Sequence, residues 1–299
     1  MFNRILGNYL VEKSKITEEQ LKAALEKQNS VRVKLGVIAV SEKLMTKEQA
    51  DEVNHLQSVT DKRFGDIAVE KGYLTEEQVV RLLRKQGNAC LYFIQALIDL
   101  GFMTLEEIDQ SMDCYQEDNG LTQSDMDDLT SEETDRIVSV FLPEPDELYG
   151  RLCGVAVRTI IRLIDAGAYI GKGALKSRVE AENLAIQKCE GDHSLYTGFA
   201  GNGDALLSIA SVFGQEDFAQ VDLDALDAVG EFTNCINGLF SSALSNEHIS
   251  VDMLPPEFYE KPVVIEGEYF CEVPVTILDK EVKLIVAADS ELKIRQEEA

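Results

Sequence analysis

The chain has 299 residues, 45% of them hydrophobic, which is enough for two domains of ordinary size with real cores. It carries 54 Asp and Glu against 28 Lys and Arg, a formal net charge of −26 at pH 7. That balance excludes nucleic-acid binding through a broad basic surface and attraction to anionic membranes, and it favours a partner with a basic patch. No apolar run reaches the about 18 residues of a membrane span. The opening stretch MFNRILGNYLVEKSK turns charged at once, without the apolar region of a signal peptide, so a cytoplasmic location is expected. Cys90, Cys114, Cys153, Cys189, Cys235 and Cys271 stand singly, with no CxxC and no Cys/His cluster. His55, His193 and His248 are far apart. Neither a metal site nor a disulfide framework is expected, and the thiols read as free and mostly buried.

The first 116 residues contain a fourfold repeat of period 29. Its copies start at Leu6, Leu35, Phe64 and Phe93. Gly7, Gly36 and Gly65 coincide, as do Ile16, Met45, Leu74 and Met103, then Thr17, Thr46, Thr75 and Thr104, then Gln28, Gln57 and Gln86. A shared phase over all the units marks duplication. Each unit predicts a short helix, a tight turn and a second helix. The Thr is the N-cap of the second helix, and Gln20, Gln49, Gln78 and Glu107 complete a capping box. Gly72 and Gly101 supply the turn that ends the first helix, where the first two copies have Ser14 and Lys43. One hairpin cannot bury its apolar face alone, so the copies must pack on one another.

This repeat resembles the tandem motif of MshEN domains, which stand at the N-termini of type II secretion and type IV pilus ATPases. That motif runs Arg-Leu-Gly, two apolar residues, Gly, two apolar residues, then Leu, apolar-Leu and Gln. The resemblance implies cyclic di-GMP as a ligand of paired motifs. Only the third copy has Arg at the first position, Arg63; the others have Ile5, Lys34 and Tyr92. The mid-motif Gly is present in the third and fourth copies, and the fourth has Ile94 for the first Gly and Tyr115 for the Gln. Copies two and three are the better pair, with Lys34, Leu35, Gly36, Gln57, Arg63, Gly65, Gly72 and Gln86 as the implied ligand residues. The other reading is a helical adaptor without the nucleotide.

Residues 117–144 are expected to be an acidic linker. Between Glu117 and Leu148 lie eleven acidic residues and one basic residue, Arg136, and Pro143 and Pro145 close the stretch. One short helix is expected from Ser131 to Phe141. A second domain, 145–299, opens with a strongly apolar helix from Leu148 to Ile164. Strand-like runs follow around Arg178, at LAIQK and at SLYTGFAG. GNGDALLSIASVFG reads as a turn into a helix with Asp204 as N-cap, because its glycines lack a phosphate-cradle spacing. After a second, longer helix come HISVDML, PVVIEGEYFCEVPVTIL and EVKLIVAAD, which alternate like antiparallel strands. The order gives an α+β domain with an antiparallel sheet and long helices, preceded by an all-α domain of helical hairpins. With no Lys or Pro gatekeeper between Val263 and Val273, a sheet edge of this domain is expected to be covered by a second copy, in a homodimer.

The long helix, Leu223 to Leu244, carries the chemistry. Asp227, Glu231 and Asn234 fall within about 60° of one another, with Gly238 in the same sector. Val229, Phe232, Ile236, Leu239, Phe240 and Ala243 fill a separate, core-facing arc. A solvated face usually mixes Lys with Glu, yet no Lys or Arg occurs between Asp224 and Ser245. The face presents an amide and an acid to something outside the chain.

DAVGEFTN on this helix, in this order of elements, resembles the chemotaxis phosphatases of the CheC/CheX family. Their motif is Asp or Ser, three residues, Glu, two residues, Asn, then about 22 residues and Pro. Here it falls on Asp227, Glu231, Asn234 and Pro256. The second copy that CheC carries on its first helix is missing, since Glu147 to Gly150 is ELYG, which makes the domain CheX-like with one site per chain. The resemblance implies dephosphorylation of the aspartyl phosphate of a CheY-type receiver. Glu231 and Asn234 would be catalytic, Asp227, Gly238 and Pro256 would bind the partner, and Mg²⁺ would sit on the receiver. The alternative is a signalling adaptor without catalysis that binds a receiver, cyclic di-GMP or both.

Overall fold

A computed structural model describes residues 1–30, 33–59, 62–84, 88–131, 133–143 and 147–296. The chain divides into two compact units, one spanning 2–132 and the other 133–299 with Met1.

The N-terminal unit is all helical. Its helices are α1 (Phe2–Glu12), α2 (Glu18–Lys27), α3 (Leu35–Ser41), α4 (Lys47–Val59), α5 (Phe64–Glu70), α6 (Glu76–Arg84), α7 (Ala89–Asp99), α8 (Leu105–Asn119) and α9 (Gln123–Leu129), with a 3₁₀ turn at Gln28–Ser30. The repeat appears as four hairpins, and its signals act in each. Ser14, Lys43, Gly72 and Gly101 all adopt positive φ, between 55° and 71°. The amide after each bonds back into the finished helix, as in Lys15 to Leu10 at 2.8 Å and Tyr73 to Ala68 at 2.9 Å. This is the Schellman closure, which satisfies carbonyls that the helix leaves open. Thr17, Thr46, Thr75 and Thr104 then exchange backbone and side-chain bonds with Gln20, Gln49, Gln78 and Glu107.

The repeated glycine has a packing reason. A Cβ on Gly7 would lie 2.3 Å from Leu21 Cδ1, and one on Gly65 would lie 2.8 Å from Val79 Cγ1. A Cβ on Gly36 would meet the Phe64 ring at 3.0 Å, and the one on Gly65 would also touch Leu35 at 3.7 Å, so copies two and three pack on each other. The fourth copy fills the same position with buried Ile94.

The expected linker is largely helical. The end of α8, all of α9 and α10 (Thr134–Phe141) occupy it, and the two compact units part at 132/133. Its acids do structural work that a charge count does not reveal. Asp125 completes a capping box with Thr122, and Asp135 pairs with Arg158.

The second unit continues with α11 (Glu147–Leu163), β1 (Tyr169–Ile170), β2 (Ala174–Ala181), β3 (Asn183–Gly191), β4 (Leu195–Gly201), α12 (Gly203–Gly214), α13 (Leu223–Ser245), β5 (Val251–Met253), β6 (Glu257–Tyr259), β7 (Val263–Ile277), β8 (Lys280–Ala288) and β9 (Leu292–Gln296). The N-cap of α12 is Asn202, whose side chain accepts from the Ala205 amide at 3.2 Å; Asp204 lies inside the first turn. The strands form one antiparallel curled sheet in the order β1-β7-β8-β4-β3-β5, with β2 and β9 on β7 and β6 on β3. One sheet face packs Ala185, Cys189, Phe199 and Leu284 against α11, α12 and α13. The other face buries Leu184, Ile186, Tyr196, Ile265, Phe270 and Ile285. This is the α+β architecture expected from the order of elements.

The edge that suggested a homodimer is covered from within. Val263 to Glu266 pair with β2 on one side and β9 on the other. The short β9 strand, which alternation does not reveal, removes the reason for a second copy there. Among the described residues no helix is long and apolar enough to cross a membrane.

Candidate functional site

Helix α13 begins at Asp222, whose side chain accepts from the Ala225 amide at 3.0 Å. Its apolar arc fixes its rotation. Val229, Phe232, Ile236 and Phe240 are buried, and Phe232 packs 5.6 Å from the Phe199 ring on β4 and 5.3 Å from Phe213 on α12. Burying a side chain of this size is worth about 2–3 kcal/mol, so the helix cannot turn without a large loss. Asp227 and Glu231 are therefore exposed, and Asn234 and Gly238 are half-buried on the same side. Leu239 departs from its expected place in the core and is 41% exposed. It lies at the limit of the apolar arc, next to the polar sector. With Met253 and Leu254, both also exposed, it gives the acidic stripe an apolar border.

Pro256 reaches the site through a close approach that helical phase alone does not reveal. A Cβ on Gly230 would sit 2.4 Å from Phe258 Cε1 and 3.2 Å from Pro256 Cβ. The bare backbone at Gly230 lets the β5–β6 segment close on α13 beside Glu231. Gly238 has a milder role, since a Cβ there would meet Met253 only at ordinary contact distance, 3.9 Å.

Asn234 is held from below. Its Oδ1 accepts from Gln187 Nε2 at 2.9 Å, the same nitrogen donates to the Leu254 carbonyl at 2.8 Å, and Gln187 Oε1 accepts from Asn237 Nδ2 at 2.9 Å. Gln187 is 1% exposed and Asn237 2%. The sequence did offer a signal for Gln187. It takes the helix-facing position of β3 between Ala185 and Cys189, where an amide needs a buried partner. Burial pushes the Cys189 thiol on that face up to about 11, so it has no nucleophilic character at neutral pH. Among the described residues, no three His, Cys, Asp or Glu side chains gather as a metal site.

In the N-terminal unit, Lys34 and Arg63 stand at the N-caps of α3 and α5 with exposed side chains that make no capping bond. Gly36 and Gly65 are buried in hairpin packing, Leu35 is half-buried, and Gly72 and Gln57 are exposed. Gln86 lies outside the described residues.

Residues 184–266 match the family model of the chemotaxis phosphatase CheX. The matched segment includes β3 from Leu184 onward, with Gln187, and all of α13. Three solved structures are similar to part of this chain. A CheC-like superfamily protein from Shewanella sp. PV-4 is 16% identical over 48% of this chain and 99% of that one, with a TM-score of 0.43. A chemotaxis protein CheX from Desulfovibrio desulfuricans is 15% identical over the same shares, with a TM-score of 0.38. The CheX–CheY–BeF3–Mg complex from Borrelia burgdorferi is 19% identical over 48% of this chain and 96% of that one, with a TM-score of 0.37. No curated protein matches the chain.

Proposed function

We propose that the second unit dephosphorylates the aspartyl phosphate of a CheY-type receiver domain, with Glu231 and Asn234 as the residues that enter the receiver's site. The observation that carries this reading is the exposed Glu231 with a half-buried, oriented Asn234 on one face of α13, inside the segment that matches the CheX family. The apolar border of Leu239, Met253 and Leu254 supports a docking face, and Asp227, Gly238 and Pro256 adjoin it.

An Asn and a Glu on a surface cannot hydrolyse a phosphate unaided. A receiver brings its own acyl phosphate, Mg²⁺ and Lys, which neutralise the transferring group, and what it needs is a water in line. The carbonyl oxygen of Asn234 has two lone pairs; Gln187 donates to one, and the other can accept a hydrogen bond from that water. Water attacks phosphorus, the bond to the aspartyl oxygen breaks, and phosphate and the free carboxylate result. Glu231 pairs with the receiver Lys and fixes the register of docking. An amide that only positions water does not titrate, and a contribution of about 100-fold is in keeping with such a role. The test is release of inorganic phosphate from a phosphorylated receiver, with and without the full chain. Acceleration supports the reading, and an unchanged rate at a concentration that saturates binding leaves only an adaptor.

For the first unit we propose cyclic di-GMP as a ligand of copies two and three. This reading is favoured by the mutual packing of those copies and the exposed cations Lys34 and Arg63 at equivalent helix starts.

A further inference from the structure

We infer that Gln187 is a positioning residue that dictates which atoms of the Asn234 amide face the receiver; the inference deepens the phosphatase reading and rests on it for its catalytic consequence. One atom at this site has only one chemical role. The Leu254 carbonyl can only accept, and it lies 2.8 Å from the end of the Gln187 side chain, so the atom that meets it must be Nε2. The other end of the same amide is then Oε1, and Asn237 must answer it with Nδ2, at 2.9 Å. The second hydrogen of Gln187 Nε2 is left to point at Asn234, 2.9 Å away. Asn234 must meet a donor with an acceptor, so Oδ1 turns inward and Nδ2 outward. The reverse orientation would set two donors against each other at a place where Gln187 is 1% exposed and water cannot intervene.

The local fold explains why this donor chain exists. β5 pairs with 189–191 and β6 with 184–186, so Gln187 and Lys188 face the connection through Leu254. Pro255 and Pro256 have no amide hydrogen and cannot continue the ladder. Leu254 donates its amide to the Lys188 carbonyl at 2.9 Å, and its own carbonyl takes the Gln187 side chain in place of a strand partner. One buried amide thus ties the strand, the diproline connection and the catalytic face of α13 together. Asn234 offers the receiver two N–H donors and the remaining lone pair of Oδ1 in a fixed direction, so a water on Oδ1 and a phosphoryl oxygen on Nδ2 can be held at once.

The test combines kinetics with side-chain NMR on the full chain. Gln187→Met removes the amide at nearly constant volume. With a phosphorylated receiver as substrate, kcat is expected to fall 10-fold or more while KM stays within about twofold, and in an Asn234→Ala background the same change is expected to alter kcat less than twofold. A residue that only held the fold would move KM and would act equally in both backgrounds. The Asn234 side-chain amide is expected to be rigid in the wild type, with an order parameter near about 0.85, and to drop below about 0.6 in the variant. Unchanged kcat in Gln187→Met, with an active wild type, would overturn the inference. Should the wild type release no phosphate, the phosphatase reading fails, and the order parameter alone decides whether Gln187 orients Asn234. Should Gln187→Met not fold, a mobile Asn234 amide in the wild type would overturn the inference and a rigid one would support it.

Discussion

Gly230 lies against the Phe258 ring so closely that a Cβ on it would come within 2.4 Å of Cε1. A glycine in the middle of a 23-residue helix costs about 1 kcal/mol relative to alanine, so something must offset it. What it permits is the approach of Pro256 and Phe258 to the helix next to Glu231.

Gly230→Ala is therefore expected to destabilise the protein by about 1–2 kcal/mol, because the overpacking against Phe258 outweighs the gain in helix propensity. Urea unfolding measures it. A stabilised variant would show that the β5–β6 segment does not rest tightly on α13 at Gly230.

Glu231→Lys sets a positive charge where the receiver Lys is proposed to dock. Receiver binding is expected to weaken by 10-fold or more, and the loss should be larger at low salt, where screening is small. Titration at two ionic strengths reads both effects, and unchanged affinity would remove Glu231 from the interface.

Much of this was legible in the sequence, and the exceptions share a cause. The duplication carried its own check, since Thr, Gln and the turn residue recur in phase, and each cap is fixed by residues within a few positions. The long alternating strands were equally local. By contrast, β1, β6 and β9 are two to five residues long and exist because β7 and β3 offer them partners. The same holds at the site. Glu231 and Asn234 follow from helical phase alone, but Gln187 is 47 residues away from Asn234 in the chain, and nothing in LAIQK says which helix will cover it. Leu239 is exposed although it sits on the apolar side of a helical wheel, because the wheel draws a sharp boundary where the packing has a gradual one.

For the first unit, calorimetry with cyclic di-GMP at high micromolar concentration is expected to give binding heat that Arg63→Ala removes, since Arg63 is the one Arg at that repeat position. No heat from the wild type would leave the hairpins as an adaptor.

Stability should fall in alkali. Burial holds the Cys153 and Cys271 thiols protonated up to about 12 and Cys189 up to about 11, whereas unfolding restores values near 8.5. A raised folded value gives stability that is complete below the unfolded value and is lost as pH rises toward the folded one. Between about pH 9 and 11 each thiol is expected to cost about 1.4 kcal/mol per pH unit. Urea melts across that window check this against Cys153→Ala, whose stability should fall less steeply with pH; parallel slopes would contradict it.

The most direct test of the central claim compares wild type with Asn234→Ala on one phosphorylated receiver, measuring acyl-phosphate decay and receiver affinity in the same samples. Asn234 faces away from the apolar arc, so the variant should fold and bind within about twofold of wild type. Accelerated decay is expected to fall by about 100-fold. Turnover within about twofold of wild type would contradict the water-orienting role of Asn234 and, with it, the proposed chemistry of the site.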